Sequence, residues 1–150
     1  MAGSAIKGVA EIVINVRDLA AMTAFYQTVL GFAFHSRFPE TEPTLVFLTI
    51  ATLDSPLGRG GHPQLFALLD PKRHIFATDT YVGLDHQRSS LNHLAFEIDH
   101  ADFTSEKQRL ETLGLAIRVI DFPQMQATGM FFHDPEGNLI ELICHSDPQR

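Results

Sequence analysis

FFHDPEGNLIELIC, residues Phe131–Cys144, reads as two strands joined through Asp134-Pro135-Glu136-Gly137-Asn138. Proline fixes φ at the first turn position, glycine tolerates positive φ, and the aspartate side chain can bond its own backbone. The second strand, from Asn138 to Cys144, is apolar on both faces except for Glu141 within Leu139-Ile140-Glu141-Leu142-Ile143. Burying a carboxylate is costly unless a cation or hydrogen-bond donors receive it. Glu141 therefore requires a partner from elsewhere in the chain.

At 150 residues and 45% hydrophobic, the chain is long enough for one domain, or for two small halves sharing a core. A net charge of −7, with only 11 Lys plus Arg and no basic run, argues against nucleic acid or an anionic membrane surface as partner. Small molecules fit better. The longest apolar runs fall short of the roughly 18 residues that a membrane helix requires. The start, MAGSAIKG, lacks the basic and apolar regions of a signal peptide, so a cytoplasmic location is expected. The single Cys144 cannot form an internal disulfide, and it shares the strand parity of Ile140 and Leu142, which makes it a packed core thiol rather than a nucleophile.

Toward the N-terminus, Gly8–Val16 (GVAEIVINV) reads as a strand with Glu11, Val13 and Asn15 on one face and Ile12, Ile14 and Val16 on the other. Asp18 is a candidate N-cap for a helix to Leu30, with Met22, Phe25, Tyr26, Val29 and Leu30 forming the apolar stripe and Gly31 ending it. Phe32–Phe38, Thr44–Thr52 and Gln64–Leu69 read as three further strands. The pattern then repeats. Leu91–Ile98 (LNHLAFEI) is a strand, Asp102–Leu113 a helix with Phe103, Leu110 and Leu113 on one side, and Leu115–Ile120, Met130–His133 and the Glu141 strand follow. Val29-Leu30-Gly31-Phe32 and Thr112-Leu113-Gly114-Leu115 close the two helices alike. The reading is an α+β fold, a single domain over 1–150 made of two βαβββ modules, about 8–69 and 91–145. Paired, they curl a mixed sheet around a central cavity with the helices outside. The connection between them, residues 70–90, has no clear periodicity, and a structureless link of that length is either a lid or a plain linker.

Alternation puts His93, Ala95 and Glu97 on one face and Leu94, Phe96 and Ile98 on the other, while Glu141 lies opposite Ile140 and Leu142. Glu11, His93 and Glu141 are thereby aimed away from the helices. Two carboxylates and an imidazole suit a divalent zinc, iron, manganese, nickel or cobalt ion, and three protein ligands leave positions open for substrate. The same residues also fit a satisfied core histidine and a Glu141 paired with an arginine such as Arg118.

Three segments resemble the vicinal oxygen chelate superfamily, which includes glyoxalase I, extradiol dioxygenases, fosfomycin-resistance proteins, methylmalonyl-CoA epimerase and bleomycin-binding proteins. They are Glu11–Phe34 (EIVINVRDLAAMTAFYQTVLGFAF), Leu91–Ile98 (LNHLAFEI) and Phe131–Leu142 (FFHDPEGNLIEL). The resemblance implies paired βαβββ modules, metal ligands on their first and last strands, and dimers. His93 and Glu141 match ligand positions. Where a first-strand histidine is usual, seven residues before the helix-starting Asp18, this chain has Glu11, and Ala67 stands where glyoxalase I has its fourth ligand. The activity implied is that of a metalloenzyme using a Lewis acid on vicinal oxygens, with dioxygenase, isomerase, epimerase or lyase chemistry and Glu11 as candidate base. The alternative is a metal-free ligand-sequestering protein of the bleomycin-resistance type, with Glu11, Glu97 and Glu141 as an acidic pocket. Tyr81, His74 and Glu97 are the candidate substrate-binding residues.

Overall fold

The computed structural model describes residues 5, 8–55, 62–74 and 90–146. The chain divides into two compact units, residues 1–84 and 85–150, and each builds its own four-stranded mixed sheet. This is the α+β arrangement expected from the repeat, with few helices and no closed barrel among the described residues.

In the first unit, strand β1 (Glu11–Asn15) leads into helix α1 (Leu19–Thr28) and then β2 (Ala33–Phe38), β3 (Leu45–Ser55) and β4 (His62–Leu69). Their spatial order is β1-β4-β3-β2, with β1 parallel to β4 and the other pairs antiparallel. The Asp18 carboxylate accepts from Ala21 N at 2.9 Å, capping an otherwise unsatisfied donor of α1. Of the predicted stripe, Met22, Phe25 and Tyr26 are buried and Val29 and Leu30 half-buried, and Leu19, which the stripe did not include, is buried with them. Tyr26 lies 4.5 Å, centroid to centroid, from Phe66 on β4 and 5.8 Å from Phe32. The helix stops at Thr28, two residues earlier than the stripe suggested, and Gly31 at φ +73° redirects the chain into β2.

In the second unit, β5 (Leu94–Glu97), α2 (Phe103–Thr112), β6 (Arg118–Phe122), β7 (Ala127–His133) and β8 (Leu139–His145) follow the same plan in spatial order β5-β8-β7-β6. Leu94, Ile140, Leu142 and Cys144 are buried on one face, and burial pushes the Cys144 thiol above its ordinary pKa, as a packed core thiol requires. On α2 only Leu110 is buried. Leu113, expected on the same side, follows the last helical residue and is 53% exposed, because the chain has already turned toward Gly114 at φ +87°.

The strand registers make the duplication quantitative. Val13 pairs with Ala67 in the parallel ladder of the first unit, and Ala95 pairs with Glu141 in that of the second. Two residues before each first-strand member stand Glu11 and His93, which therefore hold equivalent positions in the two modules, as Ala67 and Glu141 do.

The 70–90 connection begins as an ordered turn rather than a structureless link. Asp70 accepts from Lys72 N at 3.0 Å and Arg73 Nε at 2.6 Å, and its carbonyl receives His74 N at 2.9 Å. Residues 75–89, with Tyr81 and the proposed lid, lie outside the described residues. Among the described residues no helix is long and apolar enough to cross a membrane.

Candidate functional site

The hairpin that carries Glu141 is fixed by Asp134, itself buried. Its Oδ1 accepts from Glu136 N and Asn138 N, both at 3.0 Å, and Oδ2 accepts from Asn138 Nδ2 at 2.7 Å. Gly137, at φ +88°, donates its N–H to the Asp134 carbonyl. This clamp sets the register in which Phe131 faces Glu141 across β7 and β8. Asp134→Ala is expected to lower stability by about 2–3 kcal/mol, the scale of losing bonds to a charged acceptor. Urea unfolding measures it, and a loss below about 0.5 kcal/mol would mean that the turn holds without its clamp.

Glu141 is 4% exposed at the centre of β8. Its Oε2 lies 3.1 Å from Nε2 of His93, the residue just before β5. No ion pair to Arg118 forms, because that residue is on β6, beyond β7 from β8. The His93 ring is oriented from behind: Nδ1 is 2.7 Å from Asn92 Oδ1, and since that oxygen only accepts, Nδ1 must donate to it. Nε2 is then the atom presented to Glu141, the pattern of an imidazole held for ligation by an outer partner. The Phe131 ring meets His93 edge to face at 5.7 Å.

The other oxygen of the carboxylate, Oε1, is buried with no hydrogen-bond partner among the described residues. Burying such an atom is unfavourable by roughly 1–3 kcal/mol, more when charged, unless something fills its lone pairs. One imidazole nitrogen and one carboxylate with an orphaned oxygen form a donor pair that suits a borderline divalent ion. Among the described residues no group of three or more His, Cys, Asp or Glu is assembled for a metal. The pair contributed by the second unit is what the structure brings together.

The remaining candidates are placed differently. Glu11 lies on β1 of the first unit, exposed and register-paired with Leu65. Glu97 accepts from His145 Nδ1 at 2.9 Å, and the two line a groove of about 890 Å³ with Asp99, His100, Gln124 and Gln126. His74, expected in a lid, is buried, with Nδ1 2.9 Å from Thr44 Oγ1 and its ring 6.2 Å from that of Phe38. It anchors the Asp70 turn to the first unit. Asn92 and Phe131 are site neighbours the sequence reading did not single out, although an amide beside a candidate ligand and an aromatic three residues before the turn are both visible in it.

Two βαβββ sheets, with a histidine just before the edge strand of the second and a carboxylate midway along the neighbouring strand, are the arrangement of the glyoxalase and dioxygenase type. The family model described as "Glyoxalase/Bleomycin resistance protein/Dioxygenase superfamily" matches residues 8–142, and the chain belongs to that family. No curated protein matches the sequence significantly. Among solved structures, a variant of the fosfomycin resistance protein FosX from Listeria monocytogenes, complexed with Mn(II) and 1S,2S-dihydroxypropylphosphonic acid, is 21% identical with a TM-score of 0.67, covering 94% of each chain. Lactoylglutathione lyase from Agrobacterium tumefaciens is 21% identical with a TM-score of 0.63, over 94% of this chain and 96% of its own. An integron cassette protein from the Halifax Harbour sewage outfall is 21% identical with a TM-score of 0.64, over 93% and 99%. At such identities the likeness is one of fold.

Proposed function

We propose that the protein is a metal-dependent enzyme acting on a small substrate with vicinal oxygens, its divalent ion held by His93, Glu141 and Glu11. The observation that carries this reading is the buried, partnerless Oε1 of Glu141 beside the oriented Nε2 of His93. A carboxylate in that state awaits a cation. Glu11 is the third ligand in this reading because it occupies the position in its module that His93 occupies in the other. When bound, the ion would supply Lewis acidity to the substrate oxygens.

The chain's own contributions in this reading rest on the following residues. Asn92 fixes the orientation of the His93 ring so that Nε2 faces Glu141, and the Asp134 clamp keeps the β8 register that aims Glu141. Glu11, exposed on its strand, is the candidate base in this reading. Isomerase, epimerase or lyase chemistry suits this donor set better than oxygen activation, since Glu11 stands where a second histidine would complete the 2-His-1-carboxylate triad of iron dioxygenases. We further propose a homodimer acting in the cytoplasm, on small molecules and neither nucleic acid nor membrane.

A second reading rests on the same orphaned oxygen: the N–H of a cationic ligand could satisfy Oε1 in a metal-free sequestering protein. Metal uptake separates the two. Protein purified without chelators and titrated with Mn(II), Fe(II), Co(II), Ni(II) and Zn(II) is expected to bind about one equivalent. Less than about a tenth of an equivalent with every ion would overturn the enzyme reading in favour of sequestration.

A further inference from the structure

We propose that Gly129 is the positioning residue for Glu141, the two forming a size-compensated pair that gives the carboxylate its seat. The proposal rests on the metal reading above for its purpose, though not for its geometry. Gly129 lies inside β7, paired with Ile143, on the same face as Glu141 and diagonal to it. Glycine weakens a strand interior, so its presence there calls for a reason. Backbone freedom is not that reason, because Gly129 is absent from the positive-φ glycines. Space is. A Cβ at this position would overlap Glu141 Oε1, and it would come 3.1 Å from the carboxyl carbon and 3.2 Å from Cε2 of Phe131. The orphaned oxygen thus occupies the volume a side chain would fill.

The first module supplies an internal control. Its ladder pairs Leu45 with Leu69 and Phe47 with Ala67, where the second pairs Gly129 with Ile143 and Phe131 with Glu141. Position for position, Leu45 corresponds to Gly129, Ala67 to Glu141, and Phe47 to Phe131. One module sets a large residue on the third strand against a small one on the fourth. The other reverses the sizes and converts the freed volume into room for a carboxylate. Glu141 sits with Oε2 3.1 Å from His93 Nε2 and Oε1 over the glycine.

A double-mutant cycle on the metal-free protein tests the pair. Gly129→Leu is expected to lower the urea midpoint clearly in the wild-type background and little or not at all in Glu141→Ala, where the double variant recreates the Leu45/Ala67 combination. An equal loss in both backgrounds would overturn the proposal. If Gly129→Leu does not fold alone, Gly129→Ala runs the same cycle. The functional arm uses Mn(II), followed by loss of the free-ion EPR signal. Gly129→Ala is expected to weaken Mn(II) binding by at least about tenfold while the near-UV circular dichroism stays native, a change a merely structural role would not produce. Unaltered Mn(II) affinity in Gly129→Ala would overturn the positioning role. Failure of the wild type to bind Mn(II) would instead sink the proposed function, and the stability cycle would still decide the pair.

Discussion

Glu141→Met is expected to make the metal-free protein more stable while removing its capacity for a divalent ion. Methionine has nearly the length of glutamate, so the seat over Gly129 remains filled, but the buried oxygen without a partner is gone. Relief of an unsatisfied buried acceptor is worth about 1–3 kcal/mol, and the half-exposed His93 side chain, 34% accessible, can hydrate its released nitrogen. Outer partners of metal ligands commonly account for 10–100-fold in affinity, so loss of the ligand itself is expected to weaken Mn(II) binding by more than about 100-fold. Urea unfolding and Mn(II) titration on the same preparation read both effects. Opposite signs are what a site held at the expense of stability produces. A variant that is less stable and still binds Mn(II) would place Glu141 among ordinary structural residues.

Phe66→Ala carries the largest expected loss of stability. Phe66 is completely buried on β4, with Tyr26 at 4.5 Å and Phe32 at 5.8 Å, and β4 is the strand that both β1 and β3 pair with. Truncation removes the ring and leaves a void lined by two other rings, for which a cost of about 3–5 kcal/mol is typical. Equilibrium unfolding should show the loss as a lowered midpoint with an unchanged slope. A cost under about 1.5 kcal/mol would mean that the aromatic cluster repacks freely and does not tie α1 to the sheet.

The fold was largely legible because its signals are local. Asp18 as cap, Gly31 and Gly114 as stops, and the Asp134–Asn138 turn each act within a few residues, and each stands where the sequence put it. Half of the site was legible for a related reason: a lone carboxylate in an apolar strand and a histidine of matching parity are visible in a pattern of period two, and the structure brings His93 and Glu141 to 3.1 Å. What the pattern could not carry was the contact between strands distant in sequence. Gly129 looked like one more glycine until the β7–β8 register set it beside Glu141. His74 looked like a loop residue because nothing in positions 70–74 announces that Thr44, thirty residues earlier, holds its ring. Leu113 misled in the opposite way, since helical spacing was extended one residue past the point where the helix had ended.

The reversed sizes at Leu45/Ala67 and Gly129/Glu141 also bear on how ligands come and go in a duplicated fold. A carboxylate at position 67 would meet Leu45, and a bulky residue at 129 would meet a carboxylate already in place. Neither change is tolerable alone, and together they cross a strained or hollow intermediate. The size pattern at these two positions is thus guarded by sterics in each module. Leu45→Gly made first, and Ala67→Glu second, is the order in which a carboxylate could be built at the first module's equivalent of Glu141.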